Sequence, residues 1–389
     1  MNNPMLSFKE IATTEIVRNK HLPHVEDLMF LEGREGLLSS LRILGEVMRQ
    51  SDGIAMSMKW DGRPAIVCGI NPENGRFFVG TKAAFNKDVR AFHTVQEITK
   101  GIDNPELASK LAECFSYLPS LGIRGVLQGD LLFTSDSLMV TEEEVAFQPN
   151  AIRYSVNRGT PTSKALLAAR LGVAFHTVYE GETMASLTLA TYKFDPSSIN
   201  ADPTVWVPSI SVNTLTESTP LDTATNEARV QYCKEHADRT GQFLTTLLTN
   251  RELIPFLSPY INATVMANIS ECSARGLGLY IESKVGKEIL KLKTPKGRED
   301  KKALADRLIN FTEVYAKQFD GAFLLHRKMA LMKESLLQRV PLTEFRHHFV
   351  DAEGMRPTEP EGIVVSESKR AVKFVTRSRF SAQNRKVNG

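Results

Sequence analysis

The spacing of apolar residues changes several times along the first half of the chain. Residues 34–49 carry apolar side chains at intervals of three and four, which predicts an amphipathic helix. Residues 105–117 and 162–171 show the same spacing. Shorter runs rich in Val, Ile and Phe lie between these segments and are too brief for helices. The strands that these runs predict are 54–60, 64–70, 76–82, 125–133 and 173–181.

The second half of the chain has a different pattern. Residues 195–225 are rich in Ser, Thr, Pro and Asp, which is typical of a loop. Residues 226–340 have helical spacing and long charged stretches, and RPTEPEG at 356–362 predicts a linker. The run at 363–375 predicts a hairpin of two strands.

Together these elements predict an α+β fold. Its body is rich in strands and comprises residues 51–195 and 350–389. A mostly helical accessory insertion, residues 196–349, interrupts it, and an N-terminal helical segment, residues 1–50, is expected to pack on it.

Composition narrows the class of protein. Of the 389 residues, 42% are apolar and 24% are charged, which is ordinary for a soluble globular protein. No apolar run approaches the roughly 20 residues of a membrane helix, so no membrane partner is expected. The four cysteines are far apart and the first residues do not resemble a signal peptide, which indicates a cytoplasmic location. A monomer is the default expectation.

Two segments concentrate positive charge. Residues 369–389 hold seven basic and no acidic residues, and residues 284–307 hold nine basic and four acidic ones. Such segments favour a polyanionic partner, because neutralisation of phosphates drives affinity for nucleic acids. The alternative is a solvated helix face and a charged tail. The candidate nucleic-acid contacts in these segments are Lys291, Lys293, Arg377 and Arg379.

Four charged positions lie among apolar, strand-like residues. Lys59, in Lys-Trp-Asp-Gly, is a candidate nucleophile. Asp130 has the chemistry to bind a ribose hydroxyl or a metal ion, and Glu361 that to bind Mg²⁺. Lys373 is suited to neutralise charge on a phosphate. Each position alone also fits a surface turn or a loop, but unpaired charges among apolar residues are costly, so the ordered set predicts a site.

This ordered set resembles the covalent nucleotidyltransferase superfamily, which contains ATP-dependent DNA and RNA ligases and mRNA capping enzymes. The similarity is greatest to RNA-ligase-like proteins of tailed bacteriophages. It is carried by KWDGRPAIVCGINPENGRFFVGTK, GVLQGDLLFT, EGIVV and AVKFV, and covers roughly residues 54–181 and 359–381. The resemblance implies an ATP-grasp-like core of antiparallel sheets with flanking helices. For a phage protein the location would be the host cytoplasm.

The resemblance also implies roles for individual residues. Lys59 would form lysyl-AMP, with Lys373 contacting the α-phosphate. Glu361 would bind Mg²⁺ or Mn²⁺, together with Asp130. The residues implied to bind ATP are Trp60, Asp61, Gly62, Lys82, Asp130 and either Phe175 or Tyr179, the last two as candidates to stack on adenine.

The implied activity is ATP-dependent sealing of 5′-phosphate to 3′-hydroxyl ends of a polynucleotide, with RNA favoured over DNA. The sequence departs from the family pattern in three places. Arg63 follows Gly62 directly, whereas the family has its arginine one residue later, and Arg63 is expected to contact nucleic acid. Asp130 replaces the usual Glu, and the last motif has one lysine, Lys373, instead of two. Two alternatives therefore remain: a degenerate module that binds nucleotides or nucleic acids without ligation, and transfer to another acceptor.

Overall fold

The computed structural model describes residues 22–269, 271–341, 343–367 and 369–377. Within these ranges the protein has the predicted α+β architecture, with three separate sheets. The helices are α1 (Leu28–Arg49), α2 (Val95–Gly101), α3 (Pro105–Tyr117), α4 (Pro161–Ala168), α5 (Pro220–Thr249), α6 (Ile254–Met266), α7 (Ala274–Ile289), α8 (Pro295–Val314) and α9 (Ala316–Leu337). None of these helices has the combination of length and apolar composition needed to cross a membrane.

Most strands lie in the first half of the chain, joined by turns or by helices α2 to α4, and the last four lie near its end. The first seven are β1 (Ala55–Met58), β2 (Ala65–Ile70), β3 (Phe77–Gly80), β4 (Val126–Thr134), β5 (Met139–Val140), β6 (Glu144–Phe147) and β7 (Ile152–Asn157). The others are β8 (Leu171–Glu180), β9 (Thr188–Thr191), β10 (Val205–Trp206), β11 (Arg346–Asp351), β12 (Gly354–Thr358), β13 (Gly362–Glu367) and β14 (Arg370–Val375).

The first sheet joins distant parts of the chain. Its order is β1-β13-β14, and both pairings are antiparallel. Val364 pairs with Lys373, so these two residues lie on the same face of the sheet. Ile363 and Val365 project from the other face into a core shared with the helices. One face of this sheet is therefore apolar and packed, and the other is free to line a cavity.

The second sheet has the order β10-β8-β4-β2-β3, with β9 paired to β8. All of its pairs are antiparallel except β10 with β8. Alternate residues of its strands, including Ile66, Leu127 and Val173, pack in one core with residues of α2 and α3. On the other face of the sheet, Ala65, Gln128 and Asp130 line a cavity opposite the first sheet.

The third sheet has the order β12-β11-β7-β6-β5 and is antiparallel throughout. β11 pairs with β7, almost 200 residues earlier in the chain. Two sequence predictions fail here. The linker predicted at 356–362 is wrong, because β12 extends to Thr358 and β13 begins at Gly362. β11 begins at Arg346, inside the segment assigned to the helical insertion.

Helices α5 to α9 occupy residues 220–337 and share their core with α1 and with the first sheet. α1 therefore packs on the helical part as well as on the strands. α1 is also longer than the predicted 34–49, because it continues across a kink at Gly33. Gly33 has φ +67°, and a Cβ there would come within 2.7 Å of Leu248. The kink thus needs glycine for its conformation, and a larger residue would also require the Leu248 side chain to move.

A buried ion network, here defined as Glu26, Asp27, His326, Lys333 and Arg377, ties the end of β14 to the helices. Arg377 Nε donates to Glu26 Oε1 at 3.0 Å, and its Nη2 donates to Asp27. Lys333 Nζ lies 2.6 Å from Glu26 Oε1, and His326 Nε2 lies 2.9 Å from Asp27 Oδ1. Because each buried carboxylate depends on cationic or imidazole partners, loss of one member of the network would leave a buried charge poorly compensated.

Candidate functional site

A cavity of about 400 Å³ separates the first and second sheets. The residues that line it come from positions that are far apart in the sequence. From the Lys-Trp-Asp-Gly segment it takes Lys59, Trp60, Asp61 and Gly62. From the other predicted motifs it takes Lys82, Asp130, Tyr179, Glu361 and Lys373. The volume is within the usual range for small-molecule sites.

The pairing of β1 with β13 brings Lys59 to Glu361. Met58 pairs with Ile363, and the next residue, Lys59, donates its backbone N–H to Gly362 O at 2.9 Å. Lys59 Nζ therefore lies 2.5 Å from Glu361 Oε1. The Lys59 side chain keeps 27% of its surface accessible and Glu361 keeps 1%, so the amine can be reached from the cavity.

Burial and neighbouring charges set the protonation of this pair. Burial raises the pKa of Glu361 to about 7, and the ammonium of Lys59 only partly opposes that rise. For Lys59, burial acts to lower the pKa, but the Glu361 carboxylate outweighs it and the pKa is raised. Lys59 is therefore an ammonium in this structure. Attack by this amine requires loss of a proton, and Glu361 Oε1 is in direct contact to accept it.

The second carboxylate oxygen of Glu361, Oε2, differs from the Oε1 atom that contacts Lys59. Oε2 is buried and has no hydrogen-bond partner among the residues that the structure describes. Buried polar atoms are nearly always satisfied, and a carboxylate oxygen is a preferred ligand of Mg²⁺. The donor set of this cavity, Glu361 with Asp130, therefore fits Mg²⁺ or Mn²⁺.

Gly62 allows the Lys59 turn to lie against β4. A Cβ at Gly62 would come within 2.5 Å of Asp130 Cβ and 3.0 Å of Leu131 O. Asp130 faces the cavity, and burial raises the pKa of its carboxyl, while His176, Lys59 and Lys82 oppose that rise. The close approach places Asp130 next to the candidate nucleophile.

Two further lysines add positive charge to the cavity. Lys82 lies in a turn after β3 whose N-cap is Thr81. The Lys373 side chain forms no ion pair or hydrogen bond with residues in the described ranges. Burial lowers the pKa of Lys373, and so do the cations Lys59 and Arg377. A half-buried ammonium in this position gains stability when an anion binds beside it.

Asp61 and Trp60 have structural partners within the protein. The Asp61 carboxylate accepts hydrogen bonds from Asn150 Nδ2 at 2.9 Å and from the backbone N–H of Ala151 at 3.0 Å and Ile152 at 3.2 Å. Trp60 packs in an aromatic core, 4.9 Å between ring centroids from Tyr154. These contacts orient the turn that carries Lys59.

The two candidates for adenine stacking lie on opposite faces of β8. Tyr179 lines the cavity, and its hydroxyl donates to Gln128 Oε1 at 2.8 Å. Phe175 is fully buried in the core with α2 and α3, and its ring packs against Phe194. The stacking role predicted for Phe175 is therefore wrong, because the register shift of β8 against β4 at His176 leaves the Phe175 side chain on the face away from the cavity.

The predicted nucleic-acid contacts lie outside the cavity lining. Arg63 is exposed next to the Lys59 turn, and Lys291 and Lys293 are exposed between α7 and α8. Arg377 is 4% exposed and belongs to the buried ion network, so its guanidinium is unavailable to a polynucleotide. Arg379 lies outside the described residues.

Sequence reasoning missed five polar residues that line the cavity, namely Ser57, Gln128, His176, Thr177 and Tyr192. Gln128 precedes Asp130 by two positions on β4, so the strand period could have placed both on one face. No comparable signal exists for His176 and Thr177. They are adjacent, and adjacent residues of a regular strand face opposite sides. A shift in the pairing of β4 with β8 brings both into the cavity.

The fold and the cavity define an α+β protein with a site of three lysines and three carboxylates between two sheets. The chain belongs to a family described as Family of unknown function (DUF6267), whose model matches residues 19–388. No curated protein and no solved structure matches the chain significantly.

Proposed function

We propose that this protein is an ATP-dependent nucleotidyltransferase that forms a covalent lysyl-AMP at Lys59 and passes the adenylate to a polynucleotide end. In this proposal the first and second sheets form the ATP-grasp-like core. The observation that carries it is the convergence of Lys59, Asp130, Glu361 and Lys373 on one cavity from four separate segments of the chain. Convergence of distant charged residues on a concave site is the usual mark of a functional centre.

The transfer step follows from the positions of these groups. The Lys59 ammonium gives a proton to Glu361 Oε1, 2.5 Å away, and the free amine attacks the α-phosphorus of ATP. A P–N bond forms, the nitrogen releases its second proton to solvent, the bond from the α-phosphorus to the bridging oxygen breaks, and pyrophosphate leaves with the electron pair. Lys373 and Lys82 stabilise the negative charge on the phosphates.

A divalent cation bound by Glu361 and Asp130 would neutralise part of the triphosphate charge. The residues of the chain provide the rest of the chemistry. Tyr179 lines the cavity and is the aromatic candidate to contact the base, and Gly62 lets Asp130 lie beside the nucleophile.

The proposed acceptor is a nucleic acid with a 5′-phosphate, with RNA favoured over DNA. An oxygen of that phosphate attacks the phosphorus of the adenylate and displaces the Lys59 amine, which takes up a proton. A 3′-hydroxyl then loses its proton and attacks the 5′-phosphate, so that a phosphodiester forms and AMP leaves. Arg63 supports this proposal because it is exposed beside the Lys59 turn. Lys291 and Lys293 are exposed as well and are suited to phosphate contacts.

The first experiment is transfer of label from α-labelled ATP with Mg²⁺, followed by a denaturing gel. We expect label on the wild-type chain and none on Lys59→Ala. Lys100→Ala is the matched control, since it removes an exposed lysine of α2 outside the cavity and should keep full labelling. A wild-type chain that takes no label from ATP or GTP contradicts the proposal. A panel of nicked duplexes and single-stranded RNA then identifies the acceptor.

A nucleotide-binding module without transfer is the second candidate. One observation favours it: Ala371 and Val375, the positions available for a second lysine of the last motif, are both buried and apolar. Binding of ATP measured by calorimetry, combined with an absence of labelling, would identify this function.

A further inference from the structure

His176 enters the cavity through an irregularity in β8. Gln128 pairs with Thr177, but the next residue, Gly129, pairs with Phe175. His176 is therefore an extra residue on its strand, which is the arrangement of a β-bulge. The bulge lets His176 and Thr177 face the cavity together, while Phe175 stays in the core behind the sheet. Bulges of this kind commonly re-aim a side chain beside a functional site.

The two imidazole nitrogens of His176 have different neighbours. His176 Nδ1 lies 2.6 Å from Thr177 Oγ1, and His176 Nε2 lies 3.8 Å from Asp130 Oδ2. If the Thr177 hydroxyl donates to Nδ1, then Nε2 carries the hydrogen of the neutral ring. The doubly protonated ring also carries a hydrogen on Nε2. With the Thr177 hydroxyl assigned as the donor to Nδ1 of the neutral ring, a donor faces the Asp130 carboxylate in both states.

The distance between His176 Nε2 and Asp130 Oδ2 limits what can bind between them. At 3.8 Å the two atoms are too far apart for a direct hydrogen bond. A single oxygen can lie at about 2.8 Å from both of them. An alcohol suits this place, because a hydroxyl accepts from the Nε2–H and donates to the carboxylate.

We propose that His176 and Asp130 together bind a sugar hydroxyl of the nucleotide and that His176 sets the preference for ribonucleotides over deoxynucleotides. The inference rests on the proposed function only for the identity of the ligand as a nucleotide. The shorter side chain of Asp, compared with Glu, leaves room for the imidazole to share this task. Sites that hydrogen-bond a substrate hydroxyl discriminate strongly against analogues that lack it, because their polar groups are then left unpaired.

The test compares ATP, 2′-deoxy-ATP and 3′-deoxy-ATP as label donors and as ligands. Labelling kinetics use the wild type, His176→Ala and His176→Gln. Calorimetry uses the same three side chains in a Lys59→Ala background, where transfer is blocked. We expect wild type to prefer ATP over at least one deoxy analogue by about tenfold or more, chiefly through KM. His176→Ala should weaken ATP binding by about tenfold and leave that analogue nearly unchanged.

Two controls separate recognition from folding. Gln places an amide N–H near the position of Nε2, so His176→Gln should restore part of the discrimination. His236→Ala removes an imidazole that stacks on Tyr232 in the helical part, outside the cavity, and should leave discrimination unchanged.

The outcomes distinguish the two proposals. Equal use of all three nucleotides by the wild type, or unchanged discrimination in His176→Ala, overturns the inference about His176 even when Lys59 is labelled. Sugar discrimination in binding that depends on His176, without any labelling, supports the inference and overturns the proposed transfer. Absence of binding by every nucleotide overturns both.

Discussion

Replacement of Gly62 by alanine tests whether the candidate nucleophile and β4 must lie in contact. The added Cβ would be 2.5 Å from Asp130 Cβ and 3.0 Å from Leu131 O. Two carbon atoms in ordinary contact lie about 3.5 Å apart, so the Lys59 turn and β4 must separate by about 1 Å to admit the added Cβ. Both contacts lie at or near the backbone of β4, which cannot rotate away as the end of a flexible side chain would.

Two consequences follow from that displacement. Overpacking of this kind costs about 1–3 kcal/mol of unfolding free energy. A shift of about 1 Å between reacting groups lowers a rate by about 10²-fold. We therefore expect Gly62→Ala to lower the midpoint of urea unfolding and to reduce the initial rate of labelling by ATP about 100-fold.

Gly53→Ala is the matched control, because a Cβ at Gly53 would have no atom within 4 Å. This control should retain the stability and the labelling rate of the wild type. If Gly62→Ala matches the wild type in both measurements, the close approach of the Lys59 turn to Asp130 has no functional importance and the reasoning is refuted.

Three further predictions address other parts of the molecule. Lys373→Met should reduce labelling about 100-fold or more, with little loss of stability, because burial already disfavours that ammonium; labelling at the wild-type rate would exclude a role in phosphate contact. Arg377→Ala should lower the unfolding free energy by about 3–5 kcal/mol in urea, since it removes the guanidinium that contacts both Glu26 and Asp27 and leaves these buried carboxylates only partly compensated by Lys333 and His326. Burial opposes the charged forms of Glu26 and Asp27, but their cationic partners outweigh it and lower the pKa of both carboxyls. The stabilisation is therefore present above about pH 4 and is lost as the pH falls through the lower pKa values of the folded state. The unfolding free energy measured against pH should show this loss, and its dependence on pH should be weaker in Arg377→Ala. Phe175→Ala should cost about 3–5 kcal/mol of stability while the ratio of GTP to ATP labelling is unchanged, and a changed ratio would return Phe175 to the nucleotide site.

Local elements were largely predictable from residue spacing. The helix expected at 105–117 is α3, and the hairpin expected at 363–375 is β13 with β14. Both are confirmed because helical and strand periods are properties of a few neighbouring residues. The charged positions of the cavity were predictable for a related reason, since a charge among apolar strand residues needs a partner or a task. Whether those charges perform nucleotide transfer is still a prediction.

The sequence by itself therefore determined the local period of each element and showed which charged residues lie among its apolar positions. The tertiary structure decided which elements meet. The pairing of β11 with β7 and the burial of Arg377 against Glu26 depend on contacts between residues far apart in the chain. The bulge that exposes His176 depends on the register between β4 and β8. Periodicity carries no information on such long-range pairing, because its free energy comes from packing and hydrogen bonds that exist only after the chain has folded.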